Sequence, residues 1–298
     1  MEFRQLNYLD AVYRYKSFTK ASRTLYVSQP TISASVKAVE NELGIVLIER
    51  NSKTVVFTHE GEQIMLRIHK LLSDYNDMIC EAHDLAKHKN NIVRLGIASI
   101  LSADLFPIIY KDFLPLHHDL TIRLDEDSAL GQISKLINDE LDVAFNGLPE
   151  MQEYRDMITT IPVCKREVKL VMNKNHRLAN YDKVSIEDFG AENLSTITSP
   201  GVMGKIINEE LTKRNLQPQI MSEHSQIHGM FEMLLTGCSV GVMNFTPYQT
   251  KIDRYDDLIV KSFEEPIMFD VGFIIKKNKY LSDICRELMD FITDKLSK

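Results

Sequence analysis

Apolar positions in the first fifteen residues recur at helical spacing. In FRQLNYLDAVYRY (3–15), Phe3, Leu6, Leu9, Val12 and Tyr13 share one face, which predicts an amphipathic helix. Lys16-Ser17-Phe18-Thr19 breaks the pattern, and Thr19 is placed to cap a short helix over KASRTLY. Ser28 suits the N-cap of a third helix and Pro30 its first turn, where a missing N–H costs nothing. Ile32, Val36, Val39 and Leu43 then form a core stripe, and Gly44 is a fitting stop. Two short helices joined tightly, the second opening with hydroxyls, one amide and no charge, read as a helix-turn-helix. In RNSKTVVFTHEG, Val55, Val56 and Phe57 favour a strand between turn-forming flanks, a small β-wing.

From Thr58 the period changes. Ile64, Ile68, Leu71, Tyr75, Met78, Ala82 and Leu85 follow the alternating 4, 3 spacing of heptad core positions. A second stripe runs beside it at Met65, Leu72, Ile79 and Ala86. Two adjacent stripes on so long a helix suit packing on a partner helix and on the wing domain together. HKNN ends the helix as a polar linker.

Beyond residue 91 the texture is α/β. IVRLGIAS, TIRLDED and LDVAFNG read as strands, with helices in LFPIIYKDFLP and SALGQISKLINDE between them, giving two βαβ steps. A second set follows: strands in EVKLVMNK, STITSP, PQIMSEH and SVGVMNF, and helices in GKIINEELTKRN and IHGMFEMLLTG. LIVKSF and MFDVGFIIKK read as two late strands, and YLSDICRELMDFITDKL as a terminal helix. The predicted organisation is a winged helix-turn-helix domain at 1–58, a linker helix suited to pairing at 59–90, and an α/β domain at 91–298. The α/β domain divides into lobe I (91–161 and 268–298) and lobe II (162–267), with ligand expected between them at the strand ends.

The chain has 298 residues, 44% hydrophobic and 26% charged, which is ordinary for a globular protein of about two domains. No apolar run approaches the ~20 residues of a membrane span. The N-terminus lacks the basic-then-apolar layout of a signal peptide, so the expected location is the cytoplasm, with no membrane partner. Net charge is −7, yet residues 1–60 carry +2 while residues 91–298 carry −8. The acidity thus leaves the first sixty residues able to approach a polyanion. Cys80, Cys164, Cys238 and Cys285 show no CxxC spacing, which argues against a disulfide framework or zinc site. His224 and His228 could share a helix face, but no third ligand is evident, so no metal is expected. GVMGK (201–205) lacks the first Gly and the final Ser/Thr of a phosphate loop. Cys238, flanked by apolar residues, reads as a buried small side chain. No nucleophile–base set supports catalysis, and no cofactor is expected.

A recognition helix enters the major groove with its N-terminal residues toward base edges, so those side chains must be short. Gln29 can pair with adenine, Thr31 can offer a hydroxyl or a methyl, and Ser33 and Ser35 can reach bases or phosphates. The helix starts at Thr19 and Ser28 suit phosphate. Lys37, Arg50 and Lys53 can supply backbone contacts.

The ordered set SFT at 17–19, Ala21-Ser22, Leu25, VSQP at 27–30, Ser33, Val39-Glu40, ELG at 42–44, Glu49-Arg50 and Thr58-x-x-Gly61 resembles the winged helix-turn-helix of the LysR-type transcriptional regulators. VMNKNHRLAN and GCSVGVMNFTP resemble the family's weaker C-terminal signatures. Ile48 departs from the usual Phe, and Ala34 stands where a long basic residue is common. The resemblance implies an α/β chain with an N-terminal winged helix-turn-helix, a long linker helix and a two-lobed, periplasmic-binding-protein-like effector domain. Its partners would be double-stranded DNA with a two-fold related site, a small effector of anionic character, and further copies of itself in a homotetramer. It also implies an effector cleft lined by Ser99, Ile100, Leu101, Ser102, Ser128, Asn146, Gly147, Ser199, Pro200, Gly201, Val202, His224 and Thr246. The serines at predicted strand-to-helix junctions fit that role, since hydroxyls and helix-start N–H groups hold carboxylates. The competing expectations are an α/β enzyme with a DNA-binding appendage and a simple solute-binding protein.

Overall fold

The computed structural model describes residues 1–49, 55–86, 92–148, 154–197, 202–224, 226–244 and 256–297. The chain forms two compact units, Met1–His88 and Lys89–Lys298.

In the first unit, α1 (Phe3–Tyr15), α2 (Phe18–Thr24) and α3 (Gln29–Leu43) precede the 27-residue α4 (His59–Leu85). Leu9, Val12, Ala21, Ile32, Val36, Val39 and Leu47 fill the core, joined by Met65, Ile68 and Leu72 from α4. Two sequence expectations are corrected here. The cap of α2 is Ser17, whose Oγ accepts the Lys20 N–H at 3.2 Å, so Thr19 lies inside the helix. Phe18 packs on the core, and that contact draws the helix start toward it. Leu43 is exposed at the end of α3. Gly44 turns the chain at φ 69°, and the fully buried Leu47 takes the place that the stripe had assigned to Leu43.

The segment after α3 is held by polar side chains. The buried Glu40 carboxylate accepts the N–H groups of Leu47 (2.8 Å) and Ile48 (3.2 Å). Thr58 Oγ1 donates to the Val46 carbonyl (2.7 Å) and accepts the Gly61 N–H (2.9 Å), capping α4. The expected wing strand shows among the described residues as a single antiparallel bridge, Ile48 to Phe57. Gly61 sits so close to Leu47 that a Cβ would overlap the Leu47 carbonyl oxygen. This explains the Thr-x-x-Gly spacing: the threonine caps the helix while the glycine lets its first turn touch backbone. On α4, Met65, Ile68 and Leu72 are buried, whereas Leu66, Leu71, Tyr75, Met78 and Leu85 are exposed in this chain. A buried ion cluster joins α1 to α4: Asp10 takes Arg14 Nε at 2.6 Å, and His69 Nδ1 stands 2.6 Å from its other oxygen.

The second unit is built around β1 (Ile92–Ile97), α5 (Ser102–Phe106, continued by a wider turn to Phe113), β2 (Thr121–Glu126), α6 (Ala129–Ile137) and β3 (Val143–Gly147). Then come β4 (Ile158–Asn173), β5 (Lys183–Val184), α7 (Ile186–Gly190), β6 (Leu194–Ile197), α8 (Val202–Lys213) and β7 (Ile220–His224). The chain ends with α9 (Ile227–Leu235), β8 (Gly241–Met243), β9 (Leu258–Lys276) and α10 (Asp283–Leu296). The main sheet runs β2-β1-β3-β9-β4-β8, with β1–β3 parallel and β5 beside β9. β6 and β7 form a parallel pair, and Leu194 bridges to Val240 just before β8.

Two strands differ from their sequence reading. β4 is 16 residues long and starts at Ile158, well before EVKLVMNK, because its partner β9 pairs with it along almost the whole length. LIVKSF and MFDVGFIIKK belong to one strand, β9. Residues 263–266 stand out of register with β4 between Ser262 and Ile267, which produced the apparent break. Val163 makes a second irregularity on β4.

Gly61→Ala is expected to destabilise the first unit by roughly 1–3 kcal/mol through overpacking against backbone. Urea unfolding of the full chain, followed by helical circular dichroism, checks this.

Candidate DNA-reading edge and effector cleft

The start of α3 presents the short edge that the sequence suggested. Ser28 Oγ accepts the Thr31 N–H at 3.3 Å, and Ser28 and Thr31 share a hydroxyl contact of 2.7 Å. The Thr31 hydroxyl is therefore engaged in the cap. Gln29, Pro30, Thr31, Ser33 and Lys37 are exposed, Ser35 is half-buried, and Ile32, Val36 and Val39 anchor the opposite face. Thr19 is exposed on α2. Arg50 and Lys53 lie outside the described residues. Sequence reading missed Tyr26. This residue adopts a left-handed backbone (φ 54°) in the turn before α3 and is 95% exposed. The signal was there to find: a large aromatic two residues before the cap.

In the second unit the carboxyl ends of β1, β2 and β3 carry Ser99, Ser128, Asn146 and Gly147. Gly147 lies against Val202 at the start of α8: a Cβ on the glycine would stand 3.1 Å from the Val202 side chain. Ile100 packs on the cluster formed by Val171, Met230, Phe231, Leu234 and Met243. The two lobes thus touch at Ile100 and at Gly147–Val202.

The predicted lining residues sort into different states. Ser99 is exposed, and Ser102 donates to the Ser99 carbonyl at 2.7 Å. Leu101 is 2% exposed and belongs to the core instead of the cleft wall, because the short helical turn at 99–101 rolls it inward. Asn146 is buried and internally committed: Nδ2 donates to Gln132 Oε1 (2.9 Å), and Oδ1 accepts the Gly147 N–H (2.8 Å). Ser128 was expected to hold a ligand carboxylate, but the protein supplies its own. Asp127 Oδ1 takes the Ser128 N–H at 2.7 Å, and Ser128 Oγ caps Gly131. His224 Nε2 meets Ser222 Oγ at 2.9 Å, ending a hydroxyl chain that runs through the buried Ser195 and Ser239. Ser199, Pro200, Gly201 and Thr246 lie outside the described residues. A cavity of about 200 Å³ opens between α8 and β6–β8, lined by residues that include Ser195, Ile197, Gly204, Asn208 and Val242.

Among the described residues no group of three or more His, Cys, Asp or Glu could hold a metal ion. No helix among them is long and apolar enough to cross a membrane. Cys238 is exposed, which corrects its reading as a buried side chain: it sits in the turn after α9 beside Thr236.

Two family models match this chain. Residues 3–62 match the bacterial regulatory helix-turn-helix protein, lysR family, and residues 86–297 match the LysR substrate binding domain. The chain belongs to the LysR family of DNA-binding transcriptional regulators. Among its relatives is the uncharacterized HTH-type transcriptional regulator YwbI of Bacillus subtilis (strain 168), 28% identical over 97% of this chain and 95% of that protein. Among solved structures, a full-length OxyR variant from Pseudomonas aeruginosa aligns with a TM-score of 0.74 over 99% of this chain and 94% of that one, at 20% identity. Full-length CbnR complexed with its target DNA aligns at 0.59 over 99% of each chain, at 18% identity. These two show the shared fold. Relatives named as regulators set the enzyme alternative aside.

Burial by itself would raise the Asp127 carboxyl, but hydrogen bonds and charge from Lys135, with the Ser128 N–H, hold it below the usual range. A carboxyl lowered in the folded state adds stability that is present above its unfolded value and is lost as pH falls through the folded one. Lys135→Met should therefore move Asp127 titration upward and shift the acid loss of stability to higher pH. Carboxyl carbon NMR titration and acid unfolding of both proteins test this.

Proposed function

We propose that this regulator reads a two-fold related DNA site with paired α3 edges and responds to a small carboxylate-bearing metabolite between its two lobes. The observation that carries the DNA half is the exposed Gln29–Thr31–Ser33 edge on a helix whose back is buried. Gln29 has the length and the donor–acceptor pair to address adenine. Thr31, its hydroxyl engaged, offers a methyl to thymine. Ser28, Ser35, Thr19 and Lys37 lie where phosphates would pass, and Tyr26 joins them as a backbone contact. Arg50 and Lys53 are assigned to the wing.

Pairing uses the exposed Leu71, Tyr75, Met78 and Leu85 of α4, which continue the heptad past the residues buried on the core. A dimer of dimers is the assembly that family resemblance supports. The effector half rests on the facing strand ends, with exposed Ser99 and the Gly147–Val202 contact at the mouth. Ligand binding there would change how the lobes meet and so bias the spacing of the DNA-binding pairs.

Gln29→Ala should cost roughly 1–3 kcal/mol in binding to the operator and much less on unrelated DNA. Titration of both DNAs with the full chain measures the difference; an equal loss on both removes Gln29 from base reading. Paired Leu71→Glu and Met78→Glu substitutions should halve the sedimenting mass or reduce it further, with the circular dichroism spectrum unchanged. An unaltered mass would place the dimer contact elsewhere.

A further inference from the structure

The effector unit holds buried polar groups outside the lining residues described above. Asp104 on α5 is 2% exposed, and its Oδ2 meets Arg166 Nη2 of β4 at 3.4 Å. A fully engaged guanidinium–carboxylate pair uses two short parallel bonds. Here the second half is open: Asp104 Oδ1 and Arg166 Nε are buried and have no hydrogen-bond partner. Asn244, one residue past β8, is 1% exposed, and both its Oδ1 and Nδ2 are also without a partner. Among the described residues of this unit the other such atom is Glu192 Oε1, which stands 2.5 Å from Arg177 Nε and is not bare. Each unmade bond at a buried site is costly, so four such atoms call for a reason.

Register brings the three side chains together. β8 pairs antiparallel with β4, Lys169 opposite Met243. Continued one step past the end of β8, that ladder would set Asn244 beside Val168, on the face that Val168 shares with Arg166. Arg166 is then its diagonal neighbour, within reach of a long side chain. Phe269 lies opposite Arg166 in the β4–β9 ladder, and Phe269 and Val202 both stand against Gly147. Arg166 therefore lies near where the end of β3 meets the start of α8. The cavity of about 200 Å³ is lined by Val242, two residues before Asn244, and not by Asp104, Arg166 or Asn244 themselves.

We infer that Asp104, Arg166 and Asn244 form a subsite for a small zwitterion carrying a carboxylate and an ammonium, as a free amino acid does. This rests on the reading of the cleft as the effector site and names the ligand class. The open atoms are two donors, Arg166 Nε and Asn244 Nδ2, and two acceptors, Asp104 Oδ1 and Asn244 Oδ1. A carboxylate satisfies the donors and an ammonium the acceptors. The Asp104–Arg166 pair is neutral in sum, so a ligand neutral in sum leaves no uncompensated buried charge, whereas a simple carboxylate does. Ser128, with its N–H already taken by Asp127, leaves the carboxylate to be held here.

The test is calorimetric titration and thermal unfolding of the full-length protein with each free amino acid. Controls are the N-acetyl and amide derivatives of each and the carboxylic acid of equal length. At least one amino acid should bind and raise the unfolding temperature, and its three matched controls should bind about tenfold or more weakly. Asn244→Leu should lose that binding by a similar factor and yet unfold at a higher temperature without ligand, because a bare buried amide has gone. Asn244→Ser, a smaller change in packing, should weaken binding in the same direction. Asp104→Asn should weaken the amino acid and spare the simple acid. Absence of binding by every amino acid, equal binding of the matched acid, or undiminished binding to both Asn244 variants would overturn the subsite. Equal binding of the acid would leave the broader cleft reading standing. A response lost in Asn244→Leu but intact in Ser99→Ala would support the subsite and take Ser99 out of the cleft.

Discussion

The antiparallel ribbon of β4 and β9 is the constraint on which the effector unit depends. Its strands are 16 and 19 residues long and serve both lobes in turn. At one end β9 pairs with β3 and extends the parallel β2-β1-β3 set; at the other β4 pairs with β8. The lobes therefore cannot separate without breaking a continuous ladder. The ladder is irregular at Val163 and at residues 263–266. The shared ribbon joins the two strand sets, which meet at Ile100 and at Gly147–Val202.

The DNA-binding unit solves a related problem with polar side chains. Its segment after α3 is too short to build a core of its own. Glu40 satisfies two of its N–H groups, Thr58 one of its carbonyls, and the bare Gly61 lets α4 press on it. With the rear of α3 fixed by Ile32, Val36 and Val39, the front can be as plain as a close approach to base edges requires. The missing charge at the start of α3 follows from this division of labour.

Charge is also divided within the effector unit. The N-terminus of α6 is an attractive place for an anion, and the protein fills it with Asp127, itself tied to Lys135. That removes the most obvious ligand anchor. Buried atoms without a hydrogen-bond partner lie on the ribbon and beside it, at Arg166 Nε, Asp104 Oδ1 and the Asn244 amide.

The sequence by itself determined the elements whose signal is local. The cap at Ser28, the stop at Gly44, the stripe of α3, the two βαβ steps and the family motif could be read directly, since each depends on neighbours a few residues away. It fell short where a partner distant in the chain decides. Thr19 looked like a cap until Phe18 found the core, and Leu43 kept the helical period while Leu47 filled the space. LIVKSF and MFDVGFIIKK looked like two strands because strand length is set by the opposite strand, not by local preference. The cleft was legible as a set of strand ends, but which side chains remain available there was not. Asn146 and Ser128 are consumed by Gln132 and Asp127, while Asn244 is left bare by its register beside β4. Hydrogen-bond satisfaction is a property of the folded neighbourhood, and only the tertiary structure could assign it.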